Sequence, residues 1–324
     1  MKICFLDNTT FQYNSKDLYS NKLRGAESVL INISKALNKL NHQITIINNC
    51  PSSQMIDGIK WININSKIKA EDYDLVISNG DCRLFKFAIS KRNILFSHSV
   101  QNIEKFIRKK QLFAFLKYKP KICFLSKYHQ ASRSKILYPF GSINLKWSVD
   151  DIFIETKISA NVNKNQAIFT SDKDRNLDLL IDIWKNLIFT KNQKLRLLVN
   201  DRDANSEKTG IFTRIKGDQQ KLIEDLKNSR LYLIPGHKAE LFCLAAEEAK
   251  ELCIPIVTLG IGCLAERVEH GKSGFIAKNK DEFANFALEL FNNDTLWFQM
   301  RNFLLENRGK NNWIKVAKKL IEQI

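Results

Sequence analysis

A chain of 324 residues is long for a single hydrophobic core and suits two α/β domains of about 150 residues each. Its 44% hydrophobic and 26% charged content is that of a folded globular protein, which excludes a disordered, coiled-coil or collagen-like chain. With 51 Lys and Arg against 34 Asp and Glu, a net charge of +17, part of the surface attracts anions: nucleic acid, anionic lipid headgroups or a phosphorylated ligand.

Short apolar runs alternate with helical stretches along the chain, the pattern of parallel sheets covered by helices. Residues 3–6 read as a first buried strand. Residues 28–40 read as a helix with Val29, Ile33, Ala36, Leu37 and Leu40 on one face, and 44–47 as the next strand. Further strands are predicted at 75–78, 93–96 and 121–125. Residues 1–150 thus form one Rossmann-like unit. A polar stretch at 157–166 has linker composition. A second βα series follows, with strands at 167–170, 195–199, 231–234 and 255–258 and helices at 177–187, 218–226 and 241–252. Helices near 282–291, 295–306 and 312–324 close a second domain of 151–324, with the last helix left open to return to the first.

The seven cysteines, at 4, 50, 82, 123, 243, 253 and 263, include no C-x-x-C pair and read as free buried thiols of a reducing compartment. An unbroken apolar run of only four residues precedes Asp7, and no run approaches the ~20 residues of a membrane span, so a cytoplasmic location is expected, with attachment to a membrane surface left open.

The densest chemical signal is Ala239-Glu240-Leu241-Phe242-Cys243, continuing to Glu248-Ala249 and Ile254-Pro255-Ile256-Val257. Glu240 falls at a strand-to-helix turn and Glu248 inside the helix. In a doubly wound sheet that is where a ligand lies, with helix N–H groups facing a phosphate. Taken alone, the pair reads first as an acidic turn that suits the helix dipole. Its context resembles the family-4 retaining glycosyltransferases of the GT-B fold, which carry Glu-x-Phe-Gly-x4-Glu-Ala, then Gly-x-Pro-Val, then a Gly-rich loop with a Glu. Here these elements are Glu240 to Cys243, Glu248-Ala249, Cys253-Ile254-Pro255-Ile256, and Gly260-Ile261-Gly262-Cys263-Leu264-Ala265-Glu266. Glu269-His270-Gly271-Lys272-Ser273-Gly274 and Asn312-Trp313 resemble the family's later turn and closing helix. Cys243 and Cys253 stand where the family has glycine.

The resemblance implies an α/β protein of two Rossmann-like domains facing each other across a cleft, and a donor site in the second. Glu240 would take sugar hydroxyls and Glu248 the ribose, with Gly262 and the amides of the Glu266 loop completing the nucleotide site. Arg175 lies at the family's basic position and would grip the diphosphate bidentately. The family's partner arginine, expected near Thr170, is absent. In the first domain Gly25-Ala26-Glu27 resembles a turn where glycine lets backbone approach the diphosphate. His98, at the end of a strand, falls where the family contacts the donor sugar. Catalytic roles thus fall to Glu240, His98 and Arg175, and donor binding to Gly25, Arg175, Glu248, Gly262 and Glu266.

Residues 103–121 mix seven Lys or Arg with Phe106, Phe113 and Leu116, which share one face of a single helix. This reads either as an interfacial helix on an anionic membrane or as a helix packed on the sheet. No nucleic-acid module is recognised. Asp72-Tyr73-Asp74, Asp172-Lys173-Asp174 and Asp201-Arg202-Asp203 are read as chance triplets, and neither metal nor cofactor is expected. The sequence therefore points to a metal-independent hexosyltransferase taking a nucleotide diphosphate sugar and a saccharide or lipid-linked acceptor, in cell-surface polysaccharide or glycolipid synthesis. The implied mechanism is front-face substitution assisted by the leaving phosphate. The alternative is a catalytically silent GT-B-like protein that binds an anionic polymer or membrane.

Overall fold

The structure, a computed structural model, describes residues 1–20, 23–158, 162–201, 203–215 and 217–324. The chain divides into two compact units, Met1–Ser148 with Asn311–Ile324, and Val149–Lys310.

In the first unit, strands β1 (Lys2–Leu6), β2 (Gln43–Asn48), β3 (Gln54–Ile56), β4 (Ile59–Asn63), β5 (Leu75–Asn79), β6 (Asn93–Phe96), β7 (Lys121–Phe124) and β8 (Ser142–Asn144) form one sheet, in the order β8-β7-β6-β5-β1-β2-β4-β3. Its pairs are parallel except for the β3-β4 hairpin. Ile3, Cys4, Phe5 and Leu6 are buried, as a central parallel strand covered on both faces requires. The chain builds outward from β1 on one side and then crosses to β5 on the other, so the switch point lies between the carboxyl ends of β1 and β5.

Helix α1 (Gly25–Lys39) covers this sheet with Val29, Leu30, Ile33 and Leu37. It starts three residues earlier than its hydrophobic pattern suggests, because Glu27 reaches back to accept the Arg24 N–H at 3.2 Å and so nucleates the first turn. The stretch 103–121 is not one helix. It forms α2 (Ile103–Arg108) and α3 (Leu112–Tyr118), broken where Lys110 adopts φ +54°. The Lys110 N–H bonds to the Ile107 carbonyl and the Gln111 N–H to the Phe106 carbonyl, a left-handed closure usually made by glycine. The break rotates α3 relative to α2, so Phe106 and Phe115 enter the core while Phe113 and Leu116 stay exposed. The shared face of Phe106, Phe113 and Leu116 expected from sequence does not form. Helix α4 (Lys127–Ala131) follows β7, capped by the Ser126 hydroxyl.

In the second unit, helix α5 (Asp151–Glu155) precedes strands β9 (Asn163–Ile168), β10 (Arg196–Val199), β11 (Ile211–Thr213), β12 (Ser229–Leu233), β13 (Ile256–Thr258) and β14 (Gly274–Ile276), in the order β11-β10-β9-β12-β13-β14. All pairs are parallel, and the switch point lies between β9 and β12. Strand β9 starts inside the stretch expected to be linker, because Asn163 already pairs with Ser229 of β12. Residues 159–161 of that stretch lie outside the described residues, as does Arg202 of the third Asp triplet. Helices α6 (Leu177–Ile183), α7 (Gln219–Lys227), α8 (Leu244–Glu251), α9 (Lys280–Asn292) and α10 (Asp294–Asn307) cover the sheet.

Helix α11 (Trp313–Glu322) belongs to the first unit, where it packs along α1. Trp313, Val316, Ala317 and Leu320 recur at the helical period and are buried. All seven cysteines are buried and unpaired.

Candidate functional site

The second unit gathers its polar residues where β9 and β12 end. Past β9 the chain turns through Asp172–Arg175, closed by the Arg175 N–H on the Asp172 carbonyl at 2.9 Å. Asn176 follows at φ +64°, and its amide donates to the Gly236 carbonyl beyond β12, tying the two strand-end loops together. Arg175 Nε thereby meets Glu240 Oε2 at 3.2 Å. Both Nη groups of Arg175 stay without a partner among the described residues, free to take two oxygens of a phosphate. Burial raises the Glu240 carboxyl above the ordinary carboxylate range, while Arg175 and His237 pull it back toward ionisation. The pair is an acid and a cation held together at a half-buried position, each accessible to a ligand.

The loop after β13 closes on this pair. The Cys263 N–H donates to the Glu240 carbonyl at 3.0 Å. Gly262, at φ +73°, leaves no room for a side chain, since a Cβ there would lie 2.4 Å from the His237 carbonyl oxygen. Its glycine is thus accounted for by loop packing against Glu240. Glu266 is exposed at the end of the same loop. The neighbouring Arg267 is buried, donates to the Phe242 carbonyl at 2.9 Å, and faces Glu247 at 3.6 Å. Sequence reasoning did not single out Arg267. It holds the backbone between Glu240 and α8 in place.

Helix α8 begins at Leu244, later than the apolar pattern from Leu241 suggests, because Cys243 before it adopts φ +59°. Cys253, at φ +58°, closes the other end. Its N–H meets the Lys250 carbonyl at 2.9 Å, and the Ile254 N–H meets the Ala249 carbonyl at 3.0 Å. These two cysteines thus occupy left-handed positions that glycine favours, and Cys253 stands at a helix terminus. Within α8, Glu247 is taken up by Arg267 and Lys250. Glu248 is held differently: burial first, then the Asp150 carboxylate, push its carboxyl up to about 7.

In the first unit, Gly25 opens α1, whose N3 residue Glu27 also accepts from the Thr9 hydroxyl at 2.8 Å. His98 lies just past β6, its ring 5.3 Å from that of Trp147. Burial holds its imidazole near 4, so it is neutral around pH 7. Its partner is Asn79, at the end of β5, and Asn79 in turn bonds Asp7, just past β1. Neither was singled out from sequence, although each is the polar residue that ends an apolar strand.

Of the residues named from sequence, the structure brings Arg175, Glu240 and Gly262 together, places Glu248 about one turn into α8, and puts Gly25 and His98 in the first unit. Among the described residues no three His, Cys, Asp or Glu side chains cluster as a metal site.

Residues 153–310 match the family model described as glycosyl transferases group 1. No curated protein matches the chain. Among solved structures, Anabaena Alr3699/HepE with UDP and glucose is 16% identical with a TM-score of 0.69, over 100% of this chain and 99% of that one. WaaG, a glycosyltransferase involved in lipopolysaccharide biosynthesis, is 12% identical with a TM-score of 0.65, over 99% of both chains. S. aureus TarM, solved with UDP, is 18% identical with a TM-score of 0.60. This chain spans only 54% of TarM and is covered over 76% of its own length. The fold is therefore that of GT-B glycosyltransferases, as expected from sequence. The segment 153–310, which holds the Arg175–Glu240 pair, is thus similar to the group 1 glycosyltransferases.

Proposed function

We propose that this chain transfers a hexose from a nucleotide diphosphate sugar, with retention of configuration and without a metal ion, to a saccharide or lipid-linked acceptor in cell-surface polysaccharide or glycolipid synthesis. The observation that carries the reading is the Arg175–Glu240 pair at the switch point of the second unit. A sugar diphosphate needs a cation for the phosphates beside a carboxylate for the sugar hydroxyls, and this pair supplies both within 3.2 Å. Glu248 accepts from the ribose. As the bond from the sugar C1 to the phosphate oxygen breaks, negative charge grows on the diphosphate and Arg175 offsets it without reorganisation. The acceptor hydroxyl oxygen bonds to C1 on the same face, and its proton passes to the departing phosphate oxygen. The solved complexes of Alr3699/HepE and TarM with UDP make a uridine diphosphate the first donor nucleotide to try.

We place the enzyme at the cytoplasmic face of a membrane, held by α2 and α3. Ile107 and Phe113 are 58% and 79% exposed, and Arg108, Lys109, Lys110 and Lys117 are exposed beside them. Apolar side chains rimmed by lysines fit an anionic bilayer. Lys105, expected on this face, is partly buried and donates to the Ser99 hydroxyl, so it drops out of the contact. No described helix is long and apolar enough to cross a membrane.

The rival reading, a silent binding protein, rests on the missing arginine near Thr170 and on Cys243 and Cys253 in place of glycine. Both cysteines hold the left-handed conformation regardless, which weakens the second ground and leaves the first untouched. The deciding assay incubates the chain with UDP-sugars and an acceptor in the presence of EDTA and reads product by NMR. Transfer retaining the donor's anomeric configuration, lost in Glu240→Gln, is the expected result. Inversion, dependence on a divalent cation, or no turnover with any nucleotide sugar would overturn the corresponding part of the proposal.

A further inference from the structure

At the switch point of the first unit, Asp7, Asn79 and His98 form a chain of hydrogen bonds across the ends of β1, β5 and β6. Its direction follows from chemistry. Asp7 is 2% exposed; its Oδ2 accepts the Tyr13 hydroxyl at 2.9 Å and the Thr9 N–H at 3.1 Å, and its Oδ1 faces Asn79 at 2.9 Å. A carboxylate only accepts, so the Asn79 amide nitrogen must face Asp7 and the amide oxygen must face His98. That oxygen also only accepts, so the ring nitrogen facing it, Nε2, must carry the proton. Nδ1 of the neutral ring is then a bare acceptor, and it has no partner among the described residues. The Trp147 ring packs beside the imidazole, and Gly80 lies against Cδ2. The titratable groups acting on His98 are the neighbouring His129 and Lys105, and a positive charge on either disfavours a second proton on the ring.

We infer that Asp7 and Asn79 are positioning residues that fix His98 as the Nε2–H tautomer, so that its Nδ1 accepts a hydrogen bond from a hydroxyl of a neutral sugar. The tautomer follows from this chain's own bonds, and only the identity of the hydroxyl donor rests on the glycosyltransferase reading. His98 therefore acts as a neutral acceptor and orients a hydroxyl. It neither carries a positive charge toward the diphosphate nor shuttles a proton.

The test uses the full chain labelled with 15N-histidine, with His98 assigned by comparison with His98→Gln. Long-range 1H–15N spectra distinguish the two tautomers and the imidazolium. The expected result is a neutral Nε2–H ring from pH 7.5 down to pH 5.5. In Asp7→Asn the orienting carboxylate becomes an amide able to donate to Asn79, and the Asn79 amide is free to turn over, so the Nδ1–H form of His98 should appear. In Asn79→Asp, a carboxylate facing the ring should move its titration up by more than one pH unit. An Nδ1–H ring or an imidazolium in the wild type at pH 7.5 overturns the inference, and this readout needs only the folded His98→Gln comparison that assigns the signal. A tautomer unchanged in a folded Asp7→Asn overturns the role of Asp7. If the wild type transfers sugar, Asp7→Asn should lower kcat at least tenfold while nucleotide affinity, set by the second unit, is unchanged. Absence of turnover in the wild type would refute the enzyme reading and leave the tautomer result standing.

Discussion

Glu248→Gln should stabilise the free protein while weakening it as a nucleotide binder, and the stabilisation should depend on pH. In the folded chain the Glu248 carboxyl is raised from its ordinary 4.5 to about 7. Below about pH 4.5 it is protonated in both folded and unfolded states and contributes no pH dependence. Between 4.5 and 7 the folded state holds a proton that the unfolded chain has released, so stability falls as pH rises, and above 7 the loss is complete. A displacement from 4.5 to about 7 corresponds to about 3 kcal/mol at pH 8 and under about 1 kcal/mol at pH 5. Glutamine mimics the protonated carboxyl at every pH. The variant should therefore melt about 6–10 °C above wild type at pH 8, with little difference at pH 5. Scanning calorimetry at the two pH values reads this directly. An equal gain at both, or a loss at pH 8, would refute the argument that burial beside Asp150 governs Glu248. The physical logic is that a carboxylate kept ready for ribose hydroxyls lowers the stability of the empty site.

Arg175→Ala should lower kcat by one to several powers of ten with a smaller change in donor KM, because its charge meets one that grows during reaction; unchanged turnover would remove Arg175 from the mechanism. Cys253→Gly should be about 1 kcal/mol more stable than Cys253→Ala, since alanine keeps the left-handed strain at φ +58° that glycine relieves; equal melting temperatures would contradict the strain. Replacing Arg108, Lys109 and Lys110 with Gln should weaken sedimentation with anionic vesicles, and salt should weaken the wild type likewise, as juxtamembrane charges contribute about 1 kcal/mol each. Equal binding to neutral and anionic vesicles would reject α2 and α3 as the contact.

What the sequence made legible follows physical rules. Central strands such as β1, β5 and β6 were readable because a strand covered on both faces is a continuous apolar run. The strands β3, β8, β11 and β14 have three residues each, too few for a run or an alternation to register, whereas β13, equally short, continues the apolar run Ile254-Pro255-Ile256-Val257. Helix ends were misjudged at Lys110 and Cys243, where non-glycine residues hold a conformation that glycine ordinarily signals. In the candidate site, Glu240, Glu248 and Arg175 were singled out through the motifs that carry the resemblance, and the structure brings Arg175 and Glu240 into contact. The Asp7–Asn79–His98 chain was not, because Asp7 and Asn79 are 72 residues apart and meet only when β1 and β5 pair.

The central claim is that the second unit holds a nucleotide diphosphate sugar between Arg175, Glu240 and Glu248. A thermal-denaturation panel of UDP-, GDP-, ADP- and dTDP-sugars tests it on the wild-type chain beside Arg175→Ala and Glu248→Ala. One donor, at about 100 times its Kd, should stabilise the wild type by about 2.7 kcal/mol, Glu248→Ala by much less, and Arg175→Ala by an amount closer to the wild type's. Equal stabilisation of wild type and Glu248→Ala, or stabilisation by none of the donors at millimolar concentration, would contradict it.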